Sequence, residues 1–160
     1  MLKLQKNLQA GFTIIELLIV IAIIGILATL VLTNFQGAQA KGRDTVRKND
    51  INSIYQKLEE YYNENGGYPD GNLSTTVLAG IDAEALNDAD GTAITYTGGF
   101  ITSTTAPTLT PANTNEYIYA AYGCTTAGAQ STVAATCTKY VLASYLERET
   151  GNKYQKTSLN

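Results

Sequence analysis

The feature that most constrains this chain is an unbroken apolar run from Phe12 to Leu32, FTIIELLIVIAIIGILATLVL. These 21 residues include one charged side chain, Glu16, and two weakly polar ones, Thr13 and Thr29. About 20 apolar residues in a helix span the hydrocarbon core of a bilayer, whereas a helix of a soluble domain would show a polar face. The run therefore predicts a helix that inserts into a membrane.

Glu16 argues against a plain membrane anchor, because a carboxylate among aliphatic side chains is costly unless it has a partner. No basic residue lies between Lys6 and Lys41, so the helix itself offers no cation. If the chain were cut between Gly11 and Phe12, a new α-amino group would lie one helical turn from Glu16. Helices packed side by side would then let each Glu16 meet a neighbour's amino terminus, since paired buried charges are tolerated where single ones are not.

A second interpretation of the N-terminus is a secretory signal peptide. Ala38-Gln39-Ala40 has the small-residue pattern of a signal peptidase site. The apolar run is longer than the stretch of about 7–15 residues typical of such peptides, and it carries a carboxylate near its start. In this alternative the chain is an extracellular binding domain released after Ala40.

The composition argues against catalysis. The 160-residue chain has no histidine, which removes histidine bases, histidine-dependent nucleophiles and most zinc sites. Nine acidic residues and no basic ones lie between Lys57 and Lys139, so the middle of the chain offers no phosphate-binding surface. We therefore expect a protein that is not an enzyme and uses no cofactor or metal.

Beyond the apolar run, the residues predict that the same helix continues with one apolar face. Apolar side chains recur at helical spacing at Ile51, Ile54, Tyr55, Leu58, Tyr61 and Tyr62. The opposite face carries Arg47, Lys48, Asn52, Gln56, Glu59 and Glu60. Asn65-Gly66-Gly67 predicts the helix end. Glycine weakens helices, so any melted or bent section is expected between Gly37 and Gly42.

The rest of the chain predicts a small domain of short strands. The strongest strands are 116–122 and 139–146, and a weaker hairpin is predicted over 92–102 with its turn at Gly98-Gly99. The stretch 104–114 predicts a loop. The economical assembly is an α+β fold, in which a small antiparallel sheet packs on the amphipathic half of the long N-terminal helix.

Cys124 and Cys137 lie between the two strong strands. A disulfide there would close a loop of 14 residues and stabilise the domain by about 3 kcal/mol. Two free thiols are the alternative. Redox catalysis has no support, because it needs a tighter spacing of the two cysteines.

Two weaker patterns have ordinary structural explanations. The turn from Asn87 to Gly91, NDADG, resembles part of a calcium loop but lacks the terminal glutamate, so an acidic turn is the better interpretation. The tyrosines of the C-terminal half are assigned to sheet packing. A nucleic-acid role would need the C-terminal bases close to them, namely Lys139, Arg148, Lys153 and Lys156.

The N-terminal residues carry a resemblance to a known family. A basic leader ending in glycine, followed by Gly11-Phe12-Thr13-Ile14-Ile15-Glu16-Leu17 and a long apolar run, is similar to the class III signal of type IV pilins. The pseudopilins of type II secretion carry the same signal. The resemblance implies cleavage after Gly11 by a prepilin peptidase, methylation of the new N-terminal Phe12, and a subunit-assembly role for Glu16 opposite a neighbour's Phe12.

The resemblance also implies an organisation. Residues 1–11 form a leader peptide and residues 12–33 a transmembrane helix that becomes the filament core. Residues 34–66 form an amphipathic helix half, and residues 67–160 a globular antiparallel β domain with a C-terminal disulfide loop between Cys124 and Cys137. The closing Tyr-x-Tyr and Lys-Tyr-Val-Leu-Ala patterns resemble a bacterial type IV major pilin more than a pseudopilin.

The implied function is that of a pilus subunit, which sits in the inner membrane before assembly and in an extracellular surface filament afterwards. Its implied partners are other copies of itself, the prepilin peptidase and the pilus assembly machinery. The filament would serve adhesion, twitching motility or DNA uptake, which leaves a host surface, another cell and DNA open as partners. The alternative within the resemblance is the major pseudopilin of a type II secretion system.

Charge around the apolar run conflicts with this topology. Lys41, Arg43, Arg47 and Lys48 outnumber Lys3 and Lys6, so the positive-inside rule alone would place the domain in the cytoplasm. The cysteine pair and the resemblance place it outside. The bases after the run are therefore assigned to a helix face that meets other chains.

Overall fold

The computed structural model describes residues 11–97, 101–111, 116–125, 135–149 and 151–160. The chain divides into two compact units, residues 1–39 and 40–160. Within the described ranges the secondary structure comprises one long helix, one short 3-10 helix and five strands.

Helix α1 runs from Ile14 to Asn65 and is 52 residues long. It ends at Gly66, whose φ of 75° lies in the left-handed region that favours glycine and whose N–H donates to the Tyr62 carbonyl at 2.8 Å. The predicted stop at Asn65-Gly66-Gly67 is confirmed. The helix continues through Gly37 and Gly42, so the melted section that the sequence allowed there does not occur.

In the first unit, α1 exposes its apolar side chains. Ile14, Leu17 and Ile26 are each more than 60% exposed, and Phe12, just before the helix, is 89% exposed. In the part of the chain that the structure describes, α1 is the helix long and apolar enough to cross a membrane.

The second unit contains the sheet. Its strands are β1 (Tyr68–Pro69), β2 (Thr95–Tyr96), β3 (Tyr117–Cys124), β4 (Ala135–Tyr145) and β5 (Lys153–Thr157). Strand β4 is central, with β3 along one edge and with β1 and β5 pairing at different ends of the other. A short 3-10 helix spans Ala83–Leu86 in the connection between β1 and β2.

The sheet is antiparallel apart from one pair. Strand β2 pairs with β3 in parallel, Thr95 opposite Ile118, because the long connection between them returns the chain to the same end of the sheet. The second strand of the predicted hairpin is wrong: Ile101 lies in no strand, and its carbonyl accepts a hydrogen bond from the Cys124 N–H at 3.1 Å. The predicted turn at Gly98-Gly99 lies outside the described residues.

Alternation along β3 and β4 builds two apolar layers. One layer fills the space between the sheet and α1, with Ile51, Ile54 and Leu58 from the helix meeting Tyr119 and Leu142 from the sheet. The predicted apolar stripe of the amphipathic helix is thus confirmed as core. The other layer covers the far sheet face, where Ile118 and Val141 pack with Leu109 from the irregular segment before residue 112.

Gly123 is the glycine that this packing requires. Its φ is 68°, and a Cβ atom at this position would lie 2.5 Å from the Thr138 hydroxyl oxygen on β4. Its N–H donates to the Ser103 carbonyl at 3.0 Å. This hydrogen bond ties the end of β3 to the irregular segment that contains Ser103.

We predict that Gly123→Ala lowers the free energy of unfolding by more than the roughly 1–2 kcal/mol of a left-handed alanine, because a steric clash adds to the backbone strain. Gly151→Ala is the control, since Gly151 has a φ of 89° with open space around it. Urea unfolding of both variants measures the difference. An equal loss of unfolding free energy in the two variants would show that the clash with Thr138 adds nothing to the backbone strain.

Candidate assembly segment and polar network

The start of α1 is held by a reciprocal cap between Thr13 and Glu16. The Glu16 carboxylate accepts from the Thr13 N–H at 2.8 Å and from the Thr13 hydroxyl at 2.7 Å. The Thr13 hydroxyl oxygen accepts in turn from the Glu16 N–H at 3.3 Å. Thr13 occupies the N-cap and Glu16 the third helical position, which is the arrangement of a capping box.

The capping box corrects one expectation from the sequence. Glu16 was expected to have no partner within its own helix, because no base is near. Thr13 is such a partner, and the spacing Thr-x-x-Glu just before an apolar run was the signal for it. The cap supplies hydrogen bonds but no positive charge, and among the described residues Glu16 forms no ion pair.

The predicted processing site lies directly before the cap. Gly11 and Phe12 precede the first helical residue, and both are exposed. Among the described residues, none beyond the chain neighbours of Gly11 has an atom within 4 Å of where a side chain at this position would begin. Cleavage after Gly11, methylation of Phe12 and the assembly role of Glu16 stay predictions, which this accessible geometry permits.

In the second unit, Arg47 is a buried charge whose side chain is 1% exposed. Its guanidinium contacts three carboxylates: Asp44 at 3.2 Å, Asp88 at 3.0 Å and Glu147 at 2.7 Å. Arg43 adds two hydrogen bonds to Glu147, at 2.6 and 2.7 Å. The network joins α1 to the acidic turn before β2 and to the segment after β4.

Asp44 and Glu147 fix the chain as it leaves β4. The Asp44 carboxylate accepts from the backbone N–H groups of Glu147 and Arg148, at 2.8 and 2.9 Å. Hydrogen bonds from Arg43 hold the pKa of Glu147 down, from an ordinary 4.5 to about 2, against the opposing effect of burial. Burial would lower the pKa of Arg47, but its bonds to Glu147 and Asp88 outweigh that effect and raise it.

This network corrects the assignment of two of the bases after the apolar run, Arg43 and Arg47, to a helix face that meets other chains. Arg47 was placed on the polar face of α1 but is buried, because acidic partners from distant parts of the chain surround it. Arg43 and Arg47 pair within their own domain, and so does Lys48, which contacts Glu149. Lys41 is exposed.

Tyrosine hydroxyls make a second set of links between α1 and the sheet. Tyr68 and Tyr140 both donate to Glu59, each at 2.9 Å, and Tyr117 donates to Asp50 at 2.7 Å. Burial raises the pKa of Tyr117 and Tyr140, so both remain neutral donors. These bonds explain why the core of this domain contains tyrosine where aliphatic side chains would also fill the space.

A disulfide joins Cys124 to Cys137, as the sequence predicts, but the two cysteines lie opposite each other in β3 and β4 and not in the loop between the strands. Asp70 has a carboxylate oxygen within 4.8 Å of both sulfur atoms. The sulfurs are bonded to each other and are not thiolates, so this group does not form a metal site. The acidic turn at residues 87–91 uses its buried Asp88 to bind Arg47, which agrees with its interpretation as a structural turn.

The N-terminal segment is similar to a known protein family. Residues 6–32 match the family described as the prokaryotic N-terminal methylation motif. The chain is 36% identical over 99 residues to a fimbrial protein, EcpC, of Eikenella corrodens, an alignment that covers 62% of this chain and 64% of that protein. The chain is therefore similar to fimbrial proteins and carries an N-terminal motif found in the type IV pilin and pseudopilin family.

Other relatives include both branches of this family. The chain is 38% identical over 80 residues to the type II secretion system core protein G of Aeromonas hydrophila, covering 50% of this chain and 52% of that one. It is 40% identical over 60 residues to the type IV major pilin protein PilA of Myxococcus xanthus, covering 38% and 27%. The matches thus span from about a quarter to under two thirds of these relatives. No solved structure matches the chain.

We predict that the ion pairs of Glu147 make this domain acid-sensitive. A carboxyl whose pKa is lowered on folding stabilises the fold above its ordinary value of 4.5 and loses that contribution as the pH falls toward about 2. At neutral pH, Glu147→Gln should cost about 1.5–3 kcal/mol, the range for hydrogen bonds to charged groups. The difference from wild type should shrink toward zero near the lower pH.

Urea unfolding of wild type and variant across this pH range measures the effect. Glu84→Gln is the control, because it makes the same chemical change at an exposed carboxylate. A Glu147→Gln deficit that stays constant with pH would contradict the ion-pair explanation.

Proposed function

We propose that this chain is the structural subunit of a type IV pilus, not an enzyme. The precursor is held in the inner membrane by the apolar half of α1, cut after Gly11 by a prepilin peptidase, and added by the assembly machinery to a helical surface filament. The filament then serves adhesion, twitching motility or DNA uptake. The observation that carries the proposal is the fully apolar, uncovered start of α1 with a single carboxylate fixed in its first turn.

The apolar side chains explain insertion but do not by themselves explain assembly. Burying a Leu, Ile or Phe side chain away from water gains about 1.5–3 kcal/mol, so this segment does not stay in water. Lipid tails and neighbouring helices exclude water equally well, which leaves little hydrophobic preference between membrane and filament. Some other interaction must favour the filament.

Glu16 supplies that preference. Cleavage after Gly11 creates a cationic amine at Phe12, and the Thr13 cap keeps the Glu16 carboxylate at the same end of the helix. In a bundle of such helices, the carboxylate of one subunit reaches the amine of the next, and a buried pair of this kind fixes register. Methylation of the amine leaves its positive charge in place.

A pseudopilin of type II secretion would use the same N-terminal chemistry and remains the alternative. The pilin is preferred because the similarity to the fimbrial protein extends over 99 residues and covers 62% of this chain, against 80 residues and 50% for the type II secretion core protein G. Release of a free domain after Ala40 is disfavoured, because Ala40 lies inside α1 and is 8% exposed. A protease would have to open the helix to reach that bond.

We predict that Glu16→Gln and Glu16→Leu are both processed and accumulate in the membrane without forming filaments. Each removes the partner of a buried amine, a loss of about 3–5 kcal/mol per subunit. Thr13→Ala is the matched control: it weakens the cap by about 0.5–2 kcal/mol but keeps the carboxylate, so filaments should still form.

Counting filaments by electron microscopy, with each variant expressed as the sole subunit, tests this. Wild-type filament numbers from either Glu16 variant would show that the carboxylate does not direct assembly. If Thr13→Ala formed no filaments while both Glu16 variants did, the cap and not the carboxylate charge would direct assembly.

We also predict that Gly11→Val blocks processing, because a side chain at this position prevents the close approach of a peptidase to the backbone. Intact mass should show an uncut precursor in the variant. In wild type it should show loss of residues 1–11 and gain of one methyl group. Loss of residues 1–40 in the wild type would reject the proposed function in favour of a released domain.

A further inference from the structure

Two flanks of α1 in the second unit carry opposite charge. The basic–aromatic flank consists of Lys41, Lys48 and Tyr55 on the helix and Tyr154 and Lys156 on β5. The acidic flank consists of Glu60 and Glu64 on the helix and Asp82 beside it. Residues three, four or seven apart share a helix face, which places these sets on opposite sides of the buried stripe of Ile51, Ile54 and Leu58.

The basic–aromatic flank is ordered by contacts within the subunit. The Lys156 ammonium lies 5.2 Å from the centre of the Tyr55 ring and 5.8 Å from that of Tyr154, and Lys48 lies 5.7 Å from Tyr154. The Tyr154 hydroxyl donates to Asn52 at 3.1 Å. Lysines held against rings lose less conformational freedom on binding than free ones, so this surface is preorganised for an anionic partner.

The carboxylates nearest this flank are engaged. Glu149 contacts Lys48, and Glu59 accepts the hydroxyls of Tyr68 and Tyr140. The three lysines of the flank, Lys41, Lys48 and Lys156, outnumber the two carboxylates, Glu59 and Glu149, so the net charge of the flank is positive.

The acidic flank is concave. Two adjoining depressions lie between α1 and the segment 76–82, and Lys57 and Glu60 line both. Glu64 belongs to one depression and Asp82 to the other, and both are exposed. Lys57, the base in this groove, is paired with Glu60 at 2.7 Å. The groove therefore presents negative charge to whatever enters it.

We propose that, in the filament, the basic–aromatic flank of one subunit docks into the acidic flank of a second copy of this chain. The partner is a second copy because the two surfaces are complementary to each other and lie on opposite sides of the same helix. A contact between two different surfaces of one protein leaves one of each surface free on a dimer, so further copies can add. When the repeated rotation does not close into a ring, the copies form a helical array. The inference rests on the proposed function and adds a charged contact between sheet domains to the apolar contact between helices.

Cross-linking of assembled wild-type filaments with a carbodiimide, which joins lysine amines to carboxylates, tests the contact directly. We expect covalent dimers, and mapped peptides that link Lys41, Lys48 or Lys156 to Glu60, Glu64 or Asp82. Lys156→Arg keeps the charge but cannot form the amide, so filaments should persist while links through position 156 disappear.

Charge reversal tests the energetics. Lys156→Glu and Asp82→Lys should each reduce filament yield several-fold and make the remaining filaments more sensitive to salt. The double variant should recover yield, because it exchanges the two charges. Lys139→Glu is the matched control, since it makes the same change in charge on the sheet face turned away from α1, and it should leave yield unchanged.

The outcomes separate this inference from the proposed function. Abundant wild-type filaments without links between the two flanks, and with normal yield from Lys156→Glu and Asp82→Lys, would overturn the inference alone. A processed wild-type chain that forms no filament would overturn both. Loss of yield in the single variants with no recovery in the double variant would also contradict the paired contact.

Discussion

The rest of the structure depends on how α1 keeps its apolar surface from water. Its second half meets this constraint within the chain, where Ile51, Ile54 and Leu58 are fully buried against the sheet. Its first half does not: side chains such as Ile14 and Leu17 remain mostly exposed. An unbroken apolar helix of this kind must be covered by lipid or by other chains. A covering that changes from lipid to protein during assembly is the physical basis of the proposed pilus subunit.

Within the domain, polar links specify how α1 meets the sheet. Arg47 is buried with Asp88 and Glu147, and Glu59 accepts two tyrosine hydroxyls from β1 and β4. A buried ion pair often adds little net stability over an apolar pair, but removing one partner is costly. Because each of these bonds forms at one position along the helix, the network fixes register and rotation, while apolar burial provides the driving force.

The elements governed by local pattern could be predicted from the sequence. Helical spacing of apolar residues gave the extent of α1 to Asn65, and alternating β-branched and aromatic residues gave β3 and β4 with the disulfide between them. The Thr13–Glu16 cap was equally local and could have been predicted from its spacing.

Features set by distant residues could not be predicted in this way. The burial of Arg47 requires partners 41 and 100 positions away, which no helical pattern reveals. The parallel pairing of β2 and the short edge strand β1 arise from how the whole chain returns to the sheet, since two-residue strands carry almost no periodicity. The same holds for the candidate assembly residues. Gly11, Phe12 and Glu16 could be predicted from one local motif, whereas the two charged flanks combine residues of α1 with residues from distant parts of the chain.

We propose that, in the filament, other copies of this chain cover the apolar half of α1. Electron microscopy of surface filaments, combined with mass spectrometry of the protein that composes them, tests it most directly. We expect filaments made of this chain, beginning at a methylated Phe12 and retaining the apolar half of α1. A soluble product that begins at Lys41, with no filament containing the chain, would contradict it.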